Sequence, residues 1–178
     1  TLPIINNELI AATFAPSDNI KNEYIESIVS DVYLPKNQFE ILKSVRYKLR
    51  QIQRHVGFGN FNIISFDKTV SIARWGRGIK RFTKEELEFM ESIYYYDPTY
   101  HGFYGNRTSE RLTQVINKKE VSKIPRTGHY LFKGKTVDTY EHMKKDIGST
   151  IILTSGVRSI VKQMKLYVDK IYKTNGNL

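Results

Sequence analysis

The sequence predicts an α+β fold in which a helical N-terminal segment is followed by a small mixed α/β domain. Apolar residues recur at helical spacing between residues 37 and 56, and a helix-start signature occupies residues 83–86. Short apolar runs at residues 130–132 and 151–153 alternate with helical patterns. Strands and helices that follow one another in this way are typical of an α+β arrangement.

Composition limits the class of protein. The 178 residues are 40% hydrophobic, which is enough for a buried core, and carry a net charge of +10. Cysteine is absent, which excludes disulfides, thiolate metal sites and a cysteine nucleophile. No apolar run approaches the roughly 20 residues of a membrane span. The chain has no initiator Met and no basic-then-apolar leader, so we expect that it begins after a cleaved signal or a tag.

The N-terminal segment is predicted to be helical. Residues 24–32 have helical spacing after a loose start, and residues 37–56 give the clearest helix, followed by Gly57 as its C-cap. We therefore divide the chain into a helical segment, residues 1–57, and a second domain, residues 58–178. The apolar residues of the main helix recur at intervals of four, four, three and four: Ile41, Val45, Leu49, Ile52 and Val56.

The outer face of that helix is basic and has two interpretations. Five cations could follow a nucleic-acid backbone, since the net charge favours anionic partners. A solvated helix face explains them as well and is the interpretation we favour, because no base-reading motif accompanies them. The cations are Lys43, Arg46, Lys48, Arg50 and Arg54, with Glu40 opposite.

Two further helices follow. Residues 61–64 could form a strand, but Ser65 also fits the N-cap of a helix that ends at Trp75, which we favour. Thr83 and Glu86 form a capping box for a helix to about Tyr96. Its core-facing residues are predicted to be Leu87, Met90, Ile93 and Tyr94. Its acidic residues fit helix-dipole partners and surface charges better than a metal cluster: Glu85, Glu86, Glu88 and Glu91.

The rest of the second domain is predicted from shorter signals. An aromatic patch spans residues 94–104 and fits core packing better than a sugar-binding face. It is followed by a short helix at best and then by a polar connector at residues 118–123. The remaining elements are a strand, a helix, a second strand and a final helix, at residues 130–132, 136–147, 150–154 and 158–172. Helix 136–147 should turn four side chains inward: Val137, Tyr140, Met143 (or the stem of Lys144) and Ile147.

The junction of the last strand and helix is the candidate site. Gly156 permits a tight reversal there, which places Ser155 and Arg158 at the carboxyl end of the predicted strand. Polar side chains on such a rigid edge are well placed to contact a substrate in mixed α/β domains.

The residues of this junction also carry a family resemblance. Leu153-Thr154-Ser155-Gly156-Val157-Arg158-Ser159, followed by Gln163, resembles the SGxRS…Q segment of VanY-like D-alanyl-D-alanine carboxypeptidases, which are zinc metallopeptidases of the bacterial cell wall. Residues 102–105 and 123–134 are similar to segments of one bacterial subgroup, so the resemblance spans about residues 82–178. It implies that residues 58–178 are the front part of a metallopeptidase domain.

The resemblance implies an activity, a substrate and a location. The activity is removal of the terminal D-alanine from peptidoglycan stem peptides, and the location is the periplasm or another compartment outside the cytoplasm. Arg158 would be catalytic, offering its guanidinium to the substrate carboxylate or to the developing oxyanion. Ser155 and Gln163 would bind the peptide together with Arg158. Peptidoglycan is the expected partner, and neither nucleic acid nor a membrane span is expected.

One departure from the family concerns the metal. The family's zinc segments, S-x-H-x-x-G-x-x-x-D and E-x-x-H or E-x-W-H, do not occur in these residues. We therefore assign no metal ligand here, including His129 and Asp138, and expect the zinc ligands downstream of Leu178. The chain alone is expected to be inactive and to bind no zinc tightly. The alternatives are a non-catalytic wall-binding or interaction module and, less favoured, a nucleic-acid-binding domain.

Overall fold

A computed structural model describes residues 32–97, 99, 108–148 and 150–177. Within these residues the fold is α+β, as predicted, with a helical N-terminal part and one small antiparallel sheet. The elements in chain order are α1 (Lys36–Val56), α2 (Phe58–Phe61), α3 (Phe66–Trp75), α4 (Lys84–Tyr95), β1 (Val121–Lys123), β2 (Tyr130–Phe132), α5 (Lys135–Ile147) and α6 (Ile160–Lys173). The helix predicted at residues 24–32 lies almost entirely outside the described residues.

Helix α1 is the centre of the main core. Its apolar face is fully buried at four positions and packs against α4 and α6. Ile41 and Val56, which the sequence predicts in this stripe, lie at its edge and are only partly buried. The fully buried positions recur at intervals of three, four and three: Leu42, Val45, Leu49 and Ile52.

The same core includes residues on both sides of the predicted boundary at residue 57. Phe61 is fully buried beside the α1 residues, and Val168 and Ile171 of α6 join them. The predicted loop at residues 57–60 is in part a helical turn, because Phe58–Phe61 forms α2. The two predicted segments therefore share one apolar core.

Both predicted helix starts are confirmed. The Ser65 hydroxyl accepts a hydrogen bond from the Lys68 N–H at 3.3 Å, and α3 ends at Trp75. Thr83 and Glu86 form the predicted capping box: the Thr83 hydroxyl accepts from the Glu86 N–H at 3.2 Å, and the Glu86 carboxylate accepts from the Thr83 N–H at 2.8 Å. On α4 the pattern correctly predicts Met90 as buried but misses Phe89.

A second, smaller core lies under the β-hairpin. Strand β2 matches its prediction and pairs with β1, which the sequence analysis wrongly treated as a polar connector. Residues 121–123 contain one apolar side chain, Val121, so their composition gives little β signal before the pairing with β2 is known. The small core comprises Ile124, Leu131 and Tyr140, with Val137, Ile151 and Leu153 packed against it.

Three predictions for the C-terminal half need correction. Residues 150–154 are not a strand, because an extended segment forms one only when its backbone pairs with another strand. The one backbone hydrogen bond to β2 lies beyond this segment and runs from the Val157 N–H to the Tyr130 carbonyl at 2.7 Å. The last helix begins at Ile160 and not at residue 158. Met143 and Ile147 of α5 are largely exposed instead of facing inward, since the small core is covered by the first half of that helix.

Candidate functional site

Ser155 and Arg158 lie together at the start of α6. The Arg158 guanidinium donates a hydrogen bond from Nη2 to the Ser155 hydroxyl oxygen at 2.6 Å. Arg158 is exposed, and no carboxylate among the described residues forms an ion pair with it. This bond orients the guanidinium. It uses only one of the five N–H donors of the group, so the other donors remain available to an anion.

Gln163, the third predicted site residue, is not joined to this pair. It lies exposed on the first turn of α6, where its backbone N–H donates to the Ser159 carbonyl at 3.0 Å. Its side chain makes no hydrogen bond within the described part of the chain. The structure therefore brings together two of the three predicted residues.

Gly156 fixes the path of the backbone between them. A Cβ atom at this position would lie 2.3 Å from the Tyr130 carbonyl oxygen and 3.3 Å from the His129 Cβ. Only glycine allows so close an approach of the two backbones. The neighbouring Val157 N–H bonds the same carbonyl, so the Ser155–Arg158 segment is attached to β2. Residues 151–159 contain neither a turn nor a bend, so the predicted tight reversal at Gly156 is wrong.

Asn62 is a site-supporting residue that the sequence analysis missed. It is 5% exposed, its carbonyl accepts from the Ser159 N–H at 2.6 Å, and its side-chain amide donates to the Gly128 carbonyl at 2.8 Å. Ser159 in turn caps α6 by accepting from the Lys162 N–H. Asn62 thus connects the helical core, the hairpin turn and the residue that follows Arg158. Its one sequence signal is a polar residue within the apolar run of residues 61–64.

A groove adjoins Ser155. Its volume is about 590 Å³, within the range of small-ligand sites, and it is lined by residues of α5 and by the extended residues 151–155. Leu131, Tyr140 and Leu153 form its apolar floor, and Ser155 belongs to both the groove and the Arg158 pair. A ligand in this groove would therefore reach the guanidinium through Ser155.

Cationic side chains outnumber acidic ones around the start of α6. Lys162, in the first turn of α6, has a pKa below its usual range because burial disfavours its charge and because Lys165 and Arg158 repel it. Asp169 lies further along α6 and is already paired with Arg46 and Lys165. Anions, not cations, are the ligands that such a site favours.

The described residues do not fit a zinc centre. No three His, Cys, Asp or Glu side chains among them converge at ligand distance. His55 and His142 are exposed on different helices, and His129 lies half-buried beside Gly156 with no acidic side chain bonded to it. His101 lies outside the described residues.

The basic face of α1 differs from the predicted solvated stripe. Lys48 is buried and paired with Glu86, which the sequence analysis had counted as a surface charge. Arg46 is paired with Asp169, and Lys43 with Glu40. Three of the five predicted cations thus already have carboxylate partners, which weakens the case for a continuous phosphate-binding stripe.

Comparison of the chain with protein-family models, with curated proteins and with solved structures found no match. The resemblance to VanY-like carboxypeptidases therefore rests on the sequence segments that carry it. Within the described ranges, no helix combines the length and the apolar character that crossing a bilayer requires.

Proposed function

We propose that this chain supplies the substrate-binding arm of a zinc-dependent D,D-carboxypeptidase that trims the terminal D-alanine of peptidoglycan stem peptides outside the cytoplasm. The observation that carries the proposal is the exposed Arg158 guanidinium, which Ser155 orients and no described carboxylate neutralises. A C-terminal peptide carboxylate is the ligand that such a planar, fixed fork binds best.

The residues have separate roles in this proposal. Arg158 binds the terminal carboxylate of the peptide, or the oxyanion that develops at the neighbouring carbonyl. Ser155 holds the guanidinium in its orientation and contacts the peptide in the adjoining groove. The exposed amide of Gln163 contributes a further hydrogen bond at the edge of the site. The zinc ligands belong to the family segments that do not occur in these residues, so no metal-dependent step is assigned to this chain.

The test is peptide binding to the 178-residue chain, measured by isothermal titration calorimetry. The probe is a diacetylated L-lysyl-D-alanyl-D-alanine peptide, compared with the same peptide carrying a C-terminal amide. We expect the amide to weaken binding at least about tenfold, because it removes the charge that Arg158 recognises. Arg158→Lys, which keeps the charge but loses the fork, should weaken carboxylate binding by at least about the same factor.

Arg54→Lys is the matched control, since Arg54 is an exposed arginine on α1. It should leave the dissociation constant unchanged. Equal affinity for the carboxylate and the amide would overturn the proposal. In a protein that contains both this sequence and the family's zinc-binding segments, Arg158→Lys should lower turnover of the D-alanyl-D-alanine peptide at least about tenfold. This factor corresponds to ~1.4 kcal/mol of transition-state stabilisation. Normal turnover by that variant would show that Arg158 is not part of the reaction site.

A further inference from the structure

The extended segment that leads to the Ser155–Arg158 pair has unpaired backbone groups. The N–H groups of residues 152–156 make no hydrogen bond within the described part of the chain. Bonds are formed only at either end, from Ile151 to Gly148 at 3.5 Å and from Val157 to Tyr130 at 2.7 Å. Unpaired N–H and C=O groups along an extended stretch are a template for another strand.

The side chains of this segment alternate as they do in a strand. Ile151 and Leu153 pack against the small core, whereas Ile152 is 78% exposed and Thr154 is exposed. The segment therefore has a strand's geometry without a strand's partner. It also forms one wall of the groove that leads to Ser155.

Charge indicates what covers this edge. The segment runs directly into the Ser155–Arg158 pair, whose guanidinium has no carboxylate partner among the described residues. A chain that pairs along residues 152–154 and ends near Ser155 would place its terminal carboxylate at Arg158. The groove has apolar side chains, Met143 and Ile152 among them, and so also accepts the side chains of such a chain.

We propose that residues 152–154 bind an extended peptide that ends in a free carboxylate by adding it as a strand, with the carboxylate held at Arg158. This inference rests on the proposed function and specifies how the peptide is recognised: main-chain hydrogen bonds give the affinity, and the groove and Arg158 select what is bound. The occupant is a peptide, and neither a second copy of this chain nor another segment of the same protein.

The geometry also predicts which amides take part. N–H groups alternate sides along an extended backbone, and the Val157 N–H already faces β2. The N–H groups of Ile152 and Thr154 therefore face the opposite side and are the donors to the peptide. Leu153 and Ser155, which share the side of Val157, are not.

The first test is amide hydrogen exchange, resolved by residue with NMR, on the 178-residue chain with and without the diacetylated L-lysyl-D-alanyl-D-alanine probe. Saturating peptide should slow exchange at Ile152 and Thr154 at least about tenfold and leave Leu153 little changed. If this peptide binds without slowing exchange at Ile152 and Thr154, residues 152–154 do not pair with it, and the proposed function still stands. If an L-alanyl-L-alanine peptide slows exchange equally, strand addition along residues 152–154 is supported and the proposed D,D-substrate is contradicted.

Variants give a second, independent test. Thr154→Pro removes one donor from an exposed position and should weaken peptide binding at least about tenfold. Thr154→Ala keeps the N–H and should change it less than about twofold. Met143→Lys places a charge in the groove and should weaken binding, whereas His142→Lys adds the same charge outside the groove on the same helix and should not. Equal affinities of the two Thr154 variants, each with an unchanged melting temperature, would overturn the proposal.

Other occupants have their own signatures. Slow exchange at Ile152 and Thr154 in the peptide-free protein, together with a dimer by light scattering, would assign the edge to a second copy. If a monomeric protein that includes sequence beyond residue 178 shows the same slow exchange without peptide, a segment of the protein's own chain covers residues 152–154. Either result overturns the peptide assignment.

Discussion

Lys48 and Glu86 form an ion pair inside the helical core, with Nζ and Oε2 2.5 Å apart and only 7% and 5% of the two side chains exposed. Lys48 also donates to the Arg81 carbonyl at 2.7 Å, and Ser44 donates to the other Glu86 oxygen at 2.5 Å. The same carboxylate closes the capping box of α4 through the Thr83 N–H. The pair thus links α1 to the start of α4.

Removal of both partners of this pair should cost less stability than the sum of the two single removals. Lys48→Met leaves a buried carboxylate without its cation, which costs about 3–5 kcal/mol. The double variant Lys48→Met with Glu86→Gln leaves no buried charge, so its loss of stability should be smaller than the sum of the two single losses. Urea unfolding of the four proteins measures this coupling. Additive losses would show that the two side chains do not stabilise each other.

Gly156→Ala should destabilise the protein through steric overlap with the Tyr130 carbonyl. A Cβ atom 2.3 Å from that oxygen forces the backbone away from β2, and overpacking of this kind costs about 1–3 kcal/mol. Gly59→Ala is the control, because Gly59 has no positive φ and a Cβ atom there would lie 3.3 Å from its nearest neighbour, the Gly128 carbonyl oxygen, so a smaller loss is expected. Thermal unfolding compares them. A Gly156→Ala variant as stable as the native protein would mean that the backbone at residue 156 does not lie against the Tyr130 carbonyl.

Asp169 should make the protein sensitive to acid. Burial alone would raise the pKa of its carboxyl, but hydrogen bonds and charges from Lys165 and Arg46 outweigh it and hold the pKa below its usual range. A carboxyl with a lowered pKa stabilises the fold above its unfolded pKa, about 3.9, and this contribution is lost as the pH falls through the lower folded value. Asp169→Asn should therefore be less stable than the native protein at neutral pH, by about 1–3 kcal/mol.

The difference between the native protein and Asp169→Asn should begin to shrink as the pH falls below about 3.9, where the unfolded carboxyl takes up a proton, and should be lost below the lower pKa of the folded carboxyl. Urea unfolding across this range measures it. Glu141→Gln, an exposed carboxyl on α5, should show no comparable pH dependence. A difference that stays constant into strong acid would contradict a stabilising charge on Asp169.

Deletion of residues 1–57 should unfold the remainder. The deletion removes four fully buried side chains of α1, each worth about 1.5–3 kcal/mol, and typical domains have only about 5–15 kcal/mol of stability in all. We expect residues 58–178 alone to lose cooperative urea unfolding and near-UV circular dichroism. A cooperatively folded fragment would support the predicted domain boundary after residue 57 despite the shared core.

Local chemistry let the sequence predict several elements without the structure. The Ser65 cap and the Thr83–Glu86 capping box involve residues three positions apart, so their partners are visible in the sequence itself. The spacing of apolar residues likewise predicted α1, α5 and most of α6, because a helix repeats every 3.6 residues wherever it lies. The sequence could also place Ser155 and Arg158 at one site, because they are only three positions apart in the chain.

Contacts between distant residues decided the rest. Lys48 looked like a surface cation because its partner, Glu86, is 38 positions away, and burial of a charge depends on that partner. Residues 121–123 became a strand only through pairing with β2, whereas residues 150–154 had the stronger strand pattern and remained unpaired. Asn62 supports the site through the Gly128 carbonyl and the Ser159 N–H, far from it in sequence. A sequence pattern reports each segment's own preference, and only the tertiary structure determines which partners satisfy it.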